Sequence, residues 1–331
     1  MMTTAITGAT GHVGASLVRA LLSEGRRVRV LVRNDLRAVE GLAVEKIRGD
    51  VLDTDSLMEL FQGADTVFHL AARISLTGSE GGMVEKINIQ GTNNVIEACI
   101  KRKVKRLVHF SSIHAFTAHP VGEMIDEKRT LATGENEFPY DRSKALAQQA
   151  VMDAAKHGLD AVVVNPTAII GPYDFKPSFM GEALLDLYHS RFRAVVDGGY
   201  NWVDSRDVVA GALAAEKKGR TGECYLLSGH WHHFSDVSRT IGQVSGKKTP
   251  SLIVPVWLCI VPAYFSLLIS KTSDTATKFT PFALKTIRTH DRISHEKASR
   301  ELGYNPRPFE ETIRDSLAWF KGRGKLKNHH D

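Results

Sequence analysis

Short apolar runs alternate with amphipathic segments along the first half of the chain, and this alternation limits the folds available to it. The run Thr4-Ala5-Ile6 is followed by predicted strands over 27–33, 44–51, 66–72, 105–112 and 161–166. Strands separated by helices imply βαβ units with right-handed crossovers and a parallel sheet that is buried on both faces. The sequence therefore predicts a doubly wound α/β fold, in which ligands bind beyond the carboxyl ends of the strands.

Three glycines stand three residues apart between the first predicted strand and the first predicted helix, in the segment ITGATGHVGASLVRALL. Gly8 permits a tight turn, Gly11 lets the backbone approach a ligand closely, and Gly14 lets the helix pack on the strand. The N-terminus of a helix, with free N–H groups and a positive dipole end, suits a pyrophosphate. Since the usual dinucleotide pattern is G-x-G-x-x-G and this one is G-x-x-G-x-x-G, the glycines alone are weak evidence and need support from motifs farther along the chain.

The regular alternation loosens after Pro166, where a proline-rich connection begins. We expect a dinucleotide-binding domain over residues 1–169, with a return segment at about 203–229. A smaller, discontinuous C-terminal substrate lobe would comprise residues 170–202 and 230–325. The stretch from His230 to about Phe282 is predicted to be irregular, and the basic tail 322–331 to be disordered.

Composition excludes several classes of partner. The net charge is +6, but basic residues form no stripe interleaved with aromatic residues, so we expect no nucleic-acid partner and a bias toward anionic ligands. Cys99, Cys224 and Cys259 are odd in number and far apart, which argues against disulfides or a zinc site and for a cytoplasmic location. The segment HWHH lacks the partner spacing of a zinc helix, so no metal is expected.

Residues 252–269 form an apolar stretch of eighteen residues without a charge, close to the lower limit for spanning a bilayer. Pro255 and Pro262 interrupt it, because proline removes a helical hydrogen bond. The sequence favours a buried or cleft-lining helix. A surface that contacts a membrane or takes an apolar substrate is the alternative, and a true membrane span is a third.

Two short motifs carry groups suited to proton transfer. In YDRSK, Tyr140 and Lys144 stand four residues apart, on one face of a predicted helix. A phenol with an ordinary pKa of about 10 is a poor proton-transfer group at neutral pH, and a nearby ammonium would lower that pKa. Ser111 and Ser112 end the fifth strand, where a hydroxyl can bind a substrate oxygen or cap the next turn.

Taken together, these features resemble the extended short-chain dehydrogenase/reductase family, part of the NAD(P)-dependent epimerase/dehydratase superfamily. The motifs that carry the resemblance are TGATGHVG, Asp50-Val51, HLAA, NIQGT, the Ser-Ser strand end, YDRSK, NPTAIIGP and WVDSRDVVAGAL. They are most similar to the dihydroflavonol-4-reductase-like branch, which in turn resembles 3β-hydroxysteroid dehydrogenases and sugar-nucleotide epimerases. The resemblance implies a Rossmann fold and NAD(P)-dependent chemistry, and leaves the substrate open.

The resemblance also implies a role for each matching residue. The implied cofactor contacts are Gly8, Thr10, Gly11, His12, Val13 and Gly14 at the pyrophosphate, Asp50 and Val51 at the adenine, Leu70, Ala71, Ala72 and Ser111 along the cofactor, Asn88 in support, and Pro166, Thr167, Ala168 and Ile169 at the nicotinamide. Ser112 would orient the substrate oxygen and Tyr140 would act as the acid/base. Lys144 would bind the nicotinamide ribose and lower the pKa of Tyr140.

The choice of dinucleotide depends on the end of the second strand. NAD-binding folds place an acidic residue there to bind the ribose 2′-hydroxyl, whereas this chain has Val32 followed by Arg33, with Arg37 one turn later. A guanidinium can pair with a 2′-phosphate, so NADP(H) is preferred and NAD(H) is the alternative.

We therefore expect an NADPH-dependent oxidoreductase that reduces the carbonyl of an apolar small molecule, such as an aldehyde, a ketone or a dihydroflavonol-like compound. The predicted substrate contacts are His114, Phe116, Tyr173 and Phe179. The family suggests a homodimer through the helices next to the tyrosine.

Three alternatives stay open. A nucleotide-sugar epimerase or dehydratase would need arginines for a diphosphate, and Arg191, Arg193 and Arg292 are candidates. A 3β-hydroxysteroid dehydrogenase-like enzyme is a second alternative. A dinucleotide-sensing protein without turnover is a third, although such a protein would have no need to retain both Tyr140 and Lys144.

Overall fold

The computed structural model describes residues 2–270 and 280–326. The strands are β1 (Thr3–Thr7), β2 (Arg27–Val32), β3 (Glu45–Arg48), β4 (Thr66–His69), β5 (Arg106–Phe110), β6 (Ala161–Pro166), β7 (Ala168–Ile170), β8 (Ala194–Val196), β9 (Gly199–Asp204), β10 (Cys224–Leu227), β11 (His230–His233) and β12 (Leu252–Val254). The helices are α1 (His12–Ser23), α2 (Thr54–Leu60), α3 (Met83–Glu85), α4 (Gly91–Lys101), α5 (Pro139–Lys156), α6 (Phe179–Tyr188), α7 (Ser205–Lys218), α8 (Phe234–Ser245), α9 (Val256–Ser270), α10 (Pro281–Thr286), α11 (Glu296–Leu302) and α12 (Phe309–Gly322). A π-helical turn, Lys86–Gln90, joins α3 to α4, and a 3₁₀ turn spans Ile113–Ala115.

Among the described residues, seven strands form one parallel sheet in the order β3-β2-β1-β4-β5-β6-β10. One apolar cluster packs α1 and α7 on one face of the sheet, and a second packs α2, α4 and α5 on the other. The predicted doubly wound fold is confirmed. The strand order reverses between β1 and β4, so the carboxyl ends of these two strands flank the crevice in which such folds bind ligands.

A smaller lobe covers that crevice. Its core surrounds the buried Trp202 and contains a three-stranded sheet, β11-β9-β7, and helices α6, α8 and α12. Ion pairs hold the C-terminal part of the chain against α7, because Arg307 binds Asp207 at 2.8 Å and Arg206 binds Asp315 at 2.7 Å. The lobe is therefore fixed to the sheet by charge pairs as well as by apolar packing.

Two predictions about the C-terminal half are wrong. In its described part, the stretch from His230 to Phe282 is not irregular but contains β11, α8, β12, α9 and the start of α10; residues 271–279 lie outside the described residues. Helix α8 forms because Val237 and Ile241, four residues apart, are both buried against the lobe. Residues 322–326 of the basic tail are ordered, since Leu326 is buried and the Lys325 amide donates to the Phe320 carbonyl; residues 327–331 lie outside the described residues.

The apolar stretch 252–269 forms β12 and most of α9. The sequence favours a buried or cleft-lining helix, but in the structure this stretch is not buried. Among the described side chains, eight large apolar ones in this stretch are exposed, and they are Leu252, Ile253, Trp257, Leu258, Ile260, Val261, Tyr264 and Phe265. Within residues 2–270 and 280–326, we find no helix with the length and hydrophobicity that crossing a bilayer requires.

Candidate active site

The turn between β1 and α1 requires glycine at two positions. Gly8 has φ of +76°, and a Cβ there would lie 2.6 Å from the Ala71 amide nitrogen. A Cβ at Gly14 would lie 2.2 Å from the Gly8 carbonyl oxygen. These close approaches bring the N-terminus of α1 against the loop after β4, so the turn and that loop together form one wall of the crevice.

The same crevice contains polar groups that lack protein partners. Gly11 is the N-cap of α1, and no side chain from the described residues caps the helix there. The His12 Nδ1 and Ser111 Oγ atoms are buried and find no hydrogen-bond partner in residues 2–270 or 280–326. A helix N-terminus with free N–H groups and an unpartnered serine hydroxyl nearby fits a phosphate-bearing ligand. The residues present therefore fit the nicotinamide dinucleotide that the sequence predicts.

Asn88 connects the cofactor loop to the helix of the catalytic motif. Its Oδ1 accepts from the Arg73 amide at 2.7 Å, and its Nδ2 donates to the Arg73 carbonyl at 3.0 Å and to Ser143 Oγ at 2.9 Å. Asn88 lies in the π-helical turn Lys86–Gln90, a type of turn that is frequent at functional sites. The predicted supporting residue thus fixes the loop after β4 relative to α5.

The structure brings the three predicted catalytic residues together at the end of β5. Tyr140 and Lys144 lie on the buried face of α5, and the Tyr140 phenol hydrogen-bonds with the Ser112 hydroxyl. Ser112 Oγ also accepts from the His114 amide at 3.2 Å. Lys144 Nζ donates to the Phe110 carbonyl at 2.8 Å. A phenol, a hydroxyl and an ammonium therefore share one buried cluster beside the cofactor crevice.

The electrostatics of this cluster differ from the expectation. Burial raises the pKa of the Tyr140 phenol; the Ser112 hydrogen bond lowers it and the Asp141 carboxylate raises it further, so the predicted net lowering by Lys144 is wrong for this arrangement. Burial also lowers the pKa of Lys144 to about 8. The physical reason is desolvation, which disfavours phenolate and ammonium alike. Tyr140 consequently keeps its proton at neutral pH, which suits a general acid.

His114, predicted to contact substrate, lies beside Tyr140 with a ring-centroid separation of 5.5 Å. Its Nδ1 is 3.0 Å from Asp141 Oδ1, and its ring is 5.4 Å from that of His290. Burial lowers the pKa of His290 to about 3, and within the described residues its Nε2 atom has no partner. Phe282 of α10 lies 6.1 Å from the His114 ring and stacks on Phe138.

Sequence reasoning missed Asp141, His290 and Phe282. Asp141 could have been found, because it directly follows Tyr140. His290 and Phe282 could not, since they are far away in the chain and only the packing of the small lobe brings them to the site. The aromatic wall opposite Ser112 is therefore a tertiary feature.

The other predicted substrate contacts lie elsewhere. Phe116 is only 2% exposed and packs in an apolar cluster with Ile113 and Ile125, so its contact with substrate stays a prediction. Tyr173 packs against Trp319 at 5.1 Å and under the Arg19 guanidinium at 4.7 Å. Phe179 begins α6 in the small lobe.

The two arginines proposed to choose the cofactor differ in their surroundings. Arg33 follows β2, is largely exposed, and approaches Asp50 Oδ2 only at 3.5 Å. Arg37 binds Asp35 through two nitrogens, at 2.5 and 2.8 Å, and lowers the pKa of that carboxyl to about 2. The Arg33 guanidinium is therefore the more available for a 2′-phosphate.

The remaining predicted cofactor residues lie at the carboxyl edge of the sheet. They are Thr10 and Val13 at the start of α1, Val51 after β3, Leu70, Ala71 and Ala72 after β4, and Pro166, Thr167, Ala168 and Ile169 at the junction of β6 and β7. Val51 packs closely on Gly91, because a Cβ added at Gly91 would lie only 2.8 Å from Val51 Cγ2. Thr167 Oγ1 donates to Asn201 Oδ1 at 3.0 Å, which ties this junction to β9 of the small lobe.

Comparison with known proteins agrees with this geometry. The model of the NAD-dependent epimerase/dehydratase family matches residues 4–227, which include the glycine turn, Asn88 and the Ser112–Tyr140–Lys144 cluster. The chain belongs to this family. It is an NAD(P)-dependent oxidoreductase or epimerase of the extended short-chain dehydrogenase/reductase type, which confirms the family predicted from the motifs.

Relatives match over the whole length of the chain. "Sterol demethylase protein B" of Methylococcus capsulatus is 35% identical, over 98% of this chain and 100% of that protein. A "putative dihydroflavonol 4-reductase" of Synechocystis is 31% identical, over 97% of this chain and 95% of that protein. The crystal structure of gox2253 has a TM-score of 0.85 and 31% identity, and the match covers 98% of this chain and 99% of that one.

Replacing Asn88 by Ala tests the coupling between the cofactor loop and α5. We expect the kcat of the enzyme to fall about 10–100-fold, because second-layer hydrogen bonds of this kind hold reacting groups in place. Asn94→Ala is the matched control, since Asn94 lies on the adjoining helix and donates one comparable bond to the Val51 carbonyl at 2.9 Å. Equal kcat for the two variants would contradict the positioning role, even if both lower the free energy of unfolding.

Proposed function

We propose that this protein is an NADPH-dependent reductase that converts the carbonyl of an apolar substrate to an alcohol. The observation that carries the proposal is the buried Ser112–Tyr140–Lys144 cluster at the end of β5, beside the glycine turn. Bound there, the reduced nicotinamide would supply a hydride to the carbonyl carbon. The protein's part is to hold the carbonyl oxygen and to protonate it.

The side chains around Tyr140 are suited to that part. Ser112 and Tyr140 present two hydroxyls to one carbonyl oxygen, and the phenol O–H bond breaks as the proton passes to that oxygen. The C=O group gains a hydride at carbon and a proton at oxygen, so it becomes CH–OH. The Lys144 ammonium, one helical turn from Tyr140 on the buried face of α5, would stabilise the phenolate that remains.

In the reducing direction, Tyr140 must carry its proton before the reaction. Because burial raises the pKa of Tyr140, the phenol is protonated before the reaction and is ready to act as an acid. Oxidation of an alcohol would instead require the phenolate as a base, and desolvation disfavours that form.

The residues facing the cluster support an apolar ring compound as substrate. Phe138 and Phe282 stack on each other, and Phe282 lies next to His114. The names of two relatives refer to a sterol and to a dihydroflavonol, both of which are ring systems. A nucleotide sugar is less well supported, because Arg191 is paired with Asp186 at 2.6 Å and Arg292 donates to the Gly122 carbonyl.

Tyr140→Phe tests the proposal, with NADPH oxidation measured over ketones, steroids, flavonoids and nucleotide sugars. We expect the rate on the preferred ketone to fall about 10²–10⁴-fold while cofactor binding persists, since only the acid is lost. Tyr200→Phe is the matched control, because it removes another buried hydroxyl, bonded to Thr286 at 3.0 Å. A Tyr140→Phe rate within a few-fold of wild type would contradict the role of Tyr140 as the acid, whereas a wild-type protein that binds NADPH but oxidises it with none of these compounds would favour a dinucleotide sensor.

Arg33→Ala tests the preference for NADPH. Loss of one charge-assisted bond to the 2′-phosphate, about 1.5–3 kcal/mol, should raise KM for NADPH roughly 10–100-fold and leave KM for NADH nearly unchanged. Arg37→Ala should have a smaller effect, because its guanidinium already binds Asp35. Unchanged selectivity in Arg33→Ala would remove this part of the proposal.

The pH dependence of the reduction should report Lys144. Because burial lowers its pKa to about 8, the ammonium loses its proton just above neutral pH. We expect kcat/KM for NADPH, which reflects the free enzyme, to be flat near pH 6–7 and to decline above pH 8. Tyr140 should add no inflection there, since its pKa is raised. An active Lys144→Arg variant should lose this decline, and a profile rising through pH 8 would contradict the assignment.

A further inference from the structure

Helix α9 lies on the surface of the small lobe and is apolar over most of its exposed side. Trp257 is 67% exposed and Phe265 is 61% exposed, and neither is an isolated case, because Leu258, Val261 and Tyr264 are at least half exposed. Strand β12 extends the patch with Leu252 and Ile253. A contiguous apolar surface of this kind is uncommon on a soluble monomer and marks an interaction site.

Among the described side chains of α9, one narrow stripe is buried against the protein. Cys259 and Ala263, four residues apart, are buried, and they pack with Leu284 and Ile287. At about 100° per residue, the exposed side chains cover about 200° of the helix circumference. No charged residue occurs between Leu252 and Ser270. The exposed side of α9 therefore carries no ionic group. An interfacial helix has a polar face opposite its apolar face, and on α9 the body of the protein occupies that side instead.

Cations border this apolar surface. A groove of about 580 Å³ separates α9 from α10, and Val256, Ile260 and Tyr264 line one side of it. Lys285 and Arg288 line the other side, and no Asp or Glu occurs among its described lining residues. A second copy bound symmetrically on this patch would bring like charges together, because both copies use the same surface. Anionic headgroups above acyl chains would satisfy both the cations and the apolar residues.

We propose that β12 and α9 dock the protein on an anionic lipid bilayer, with α9 lying in the plane of the interface. Trp257 and Tyr264 are suited to the headgroup level, because their rings combine an apolar body with a polar atom. Lys285 and Arg288 would then bind phospholipid phosphates. Docking is a binding property and goes beyond the proposed reductase function, so it is measured without turnover.

The test is flotation of the full-length protein with vesicles of phosphatidylcholine alone or of phosphatidylcholine and phosphatidylglycerol at 70:30. We expect binding to the anionic vesicles, and Lys285→Gln/Arg288→Gln should weaken it by roughly 30-fold, about fivefold per cation. Val261→Asp/Phe265→Asp should abolish it. Met83→Asp/Ile100→Asp is the matched control, because it adds two charges at exposed apolar positions outside the patch. Thermal unfolding followed by circular dichroism verifies that each variant is folded.

Trp257 provides a second measurement. Quenching of tryptophan fluorescence by lipids brominated on their acyl chains should occur in wild type and disappear in Trp257→Phe, since Trp202 is buried in the lobe core, Trp231 lies in β11 and Trp319 of α12 packs against the lobe core. The proposal is overturned if wild type binds neither type of vesicle, or if Val261→Asp/Phe265→Asp binds as well as the control. It is also overturned if the protein is a dimer that Val261→Asp/Phe265→Asp dissociates, with no vesicle binding, because a second copy then covers the patch.

Discussion

The parallel direction of the seven sheet strands is the constraint on which the site depends. Because every strand runs the same way, the turn after β1, the loop after β4 and the serines after β5 all meet at one edge. Residues more than one hundred positions apart, such as Gly8 and Ser112, therefore border one crevice. The close packing of Gly8 and Gly14 sets how near α1 comes to that edge, and Asn88 fixes α5 relative to it.

Desolvation then decides what the clustered groups can do. In water, an ammonium and a phenol both have pKa values of about 10. Burial shifts these two pKa values in opposite directions, because it disfavours the charged form of each group. The pKa of Lys144 comes down to about 8 and that of Tyr140 rises. The result is a protonated phenol beside an ammonium whose pKa is close to neutral. When the phenol gives its proton to an oxygen that is gaining negative charge, as carbonyl reduction requires, a phenolate forms, and a protonated Lys144 would stabilise it.

The parts of this molecule that sequence could predict are those determined locally. Strands β1, β2, β4, β5 and β6 arise from largely apolar runs bounded by glycine and polar residues, and the pairing of Tyr140 with Lys144 arises from helical spacing. Phe116 shows the limit, because an aromatic residue near a motif can equally be core, and the sequence does not reveal its packing with Ile113 and Ile125. His290 and Phe282 reach the site through packing of the small lobe, which no local pattern encodes.

The stretch 252–269 shows a second limit of sequence reasoning. Its composition predicts burial, since an uncharged apolar helix is ordinarily covered by protein or lipid. Among the described side chains of α9, the structure buries the stripe of Cys259 and Ala263, because α10 packs against α9 on that side. The same short helix α10 presents Phe282 to His114 and Lys285 to the groove beside α9. The wall of the proposed substrate site and the border of the apolar surface thus both use residues of one six-residue helix. A displacement of α10 would therefore change the position of Phe282 beside His114 and that of Lys285 beside α9 together.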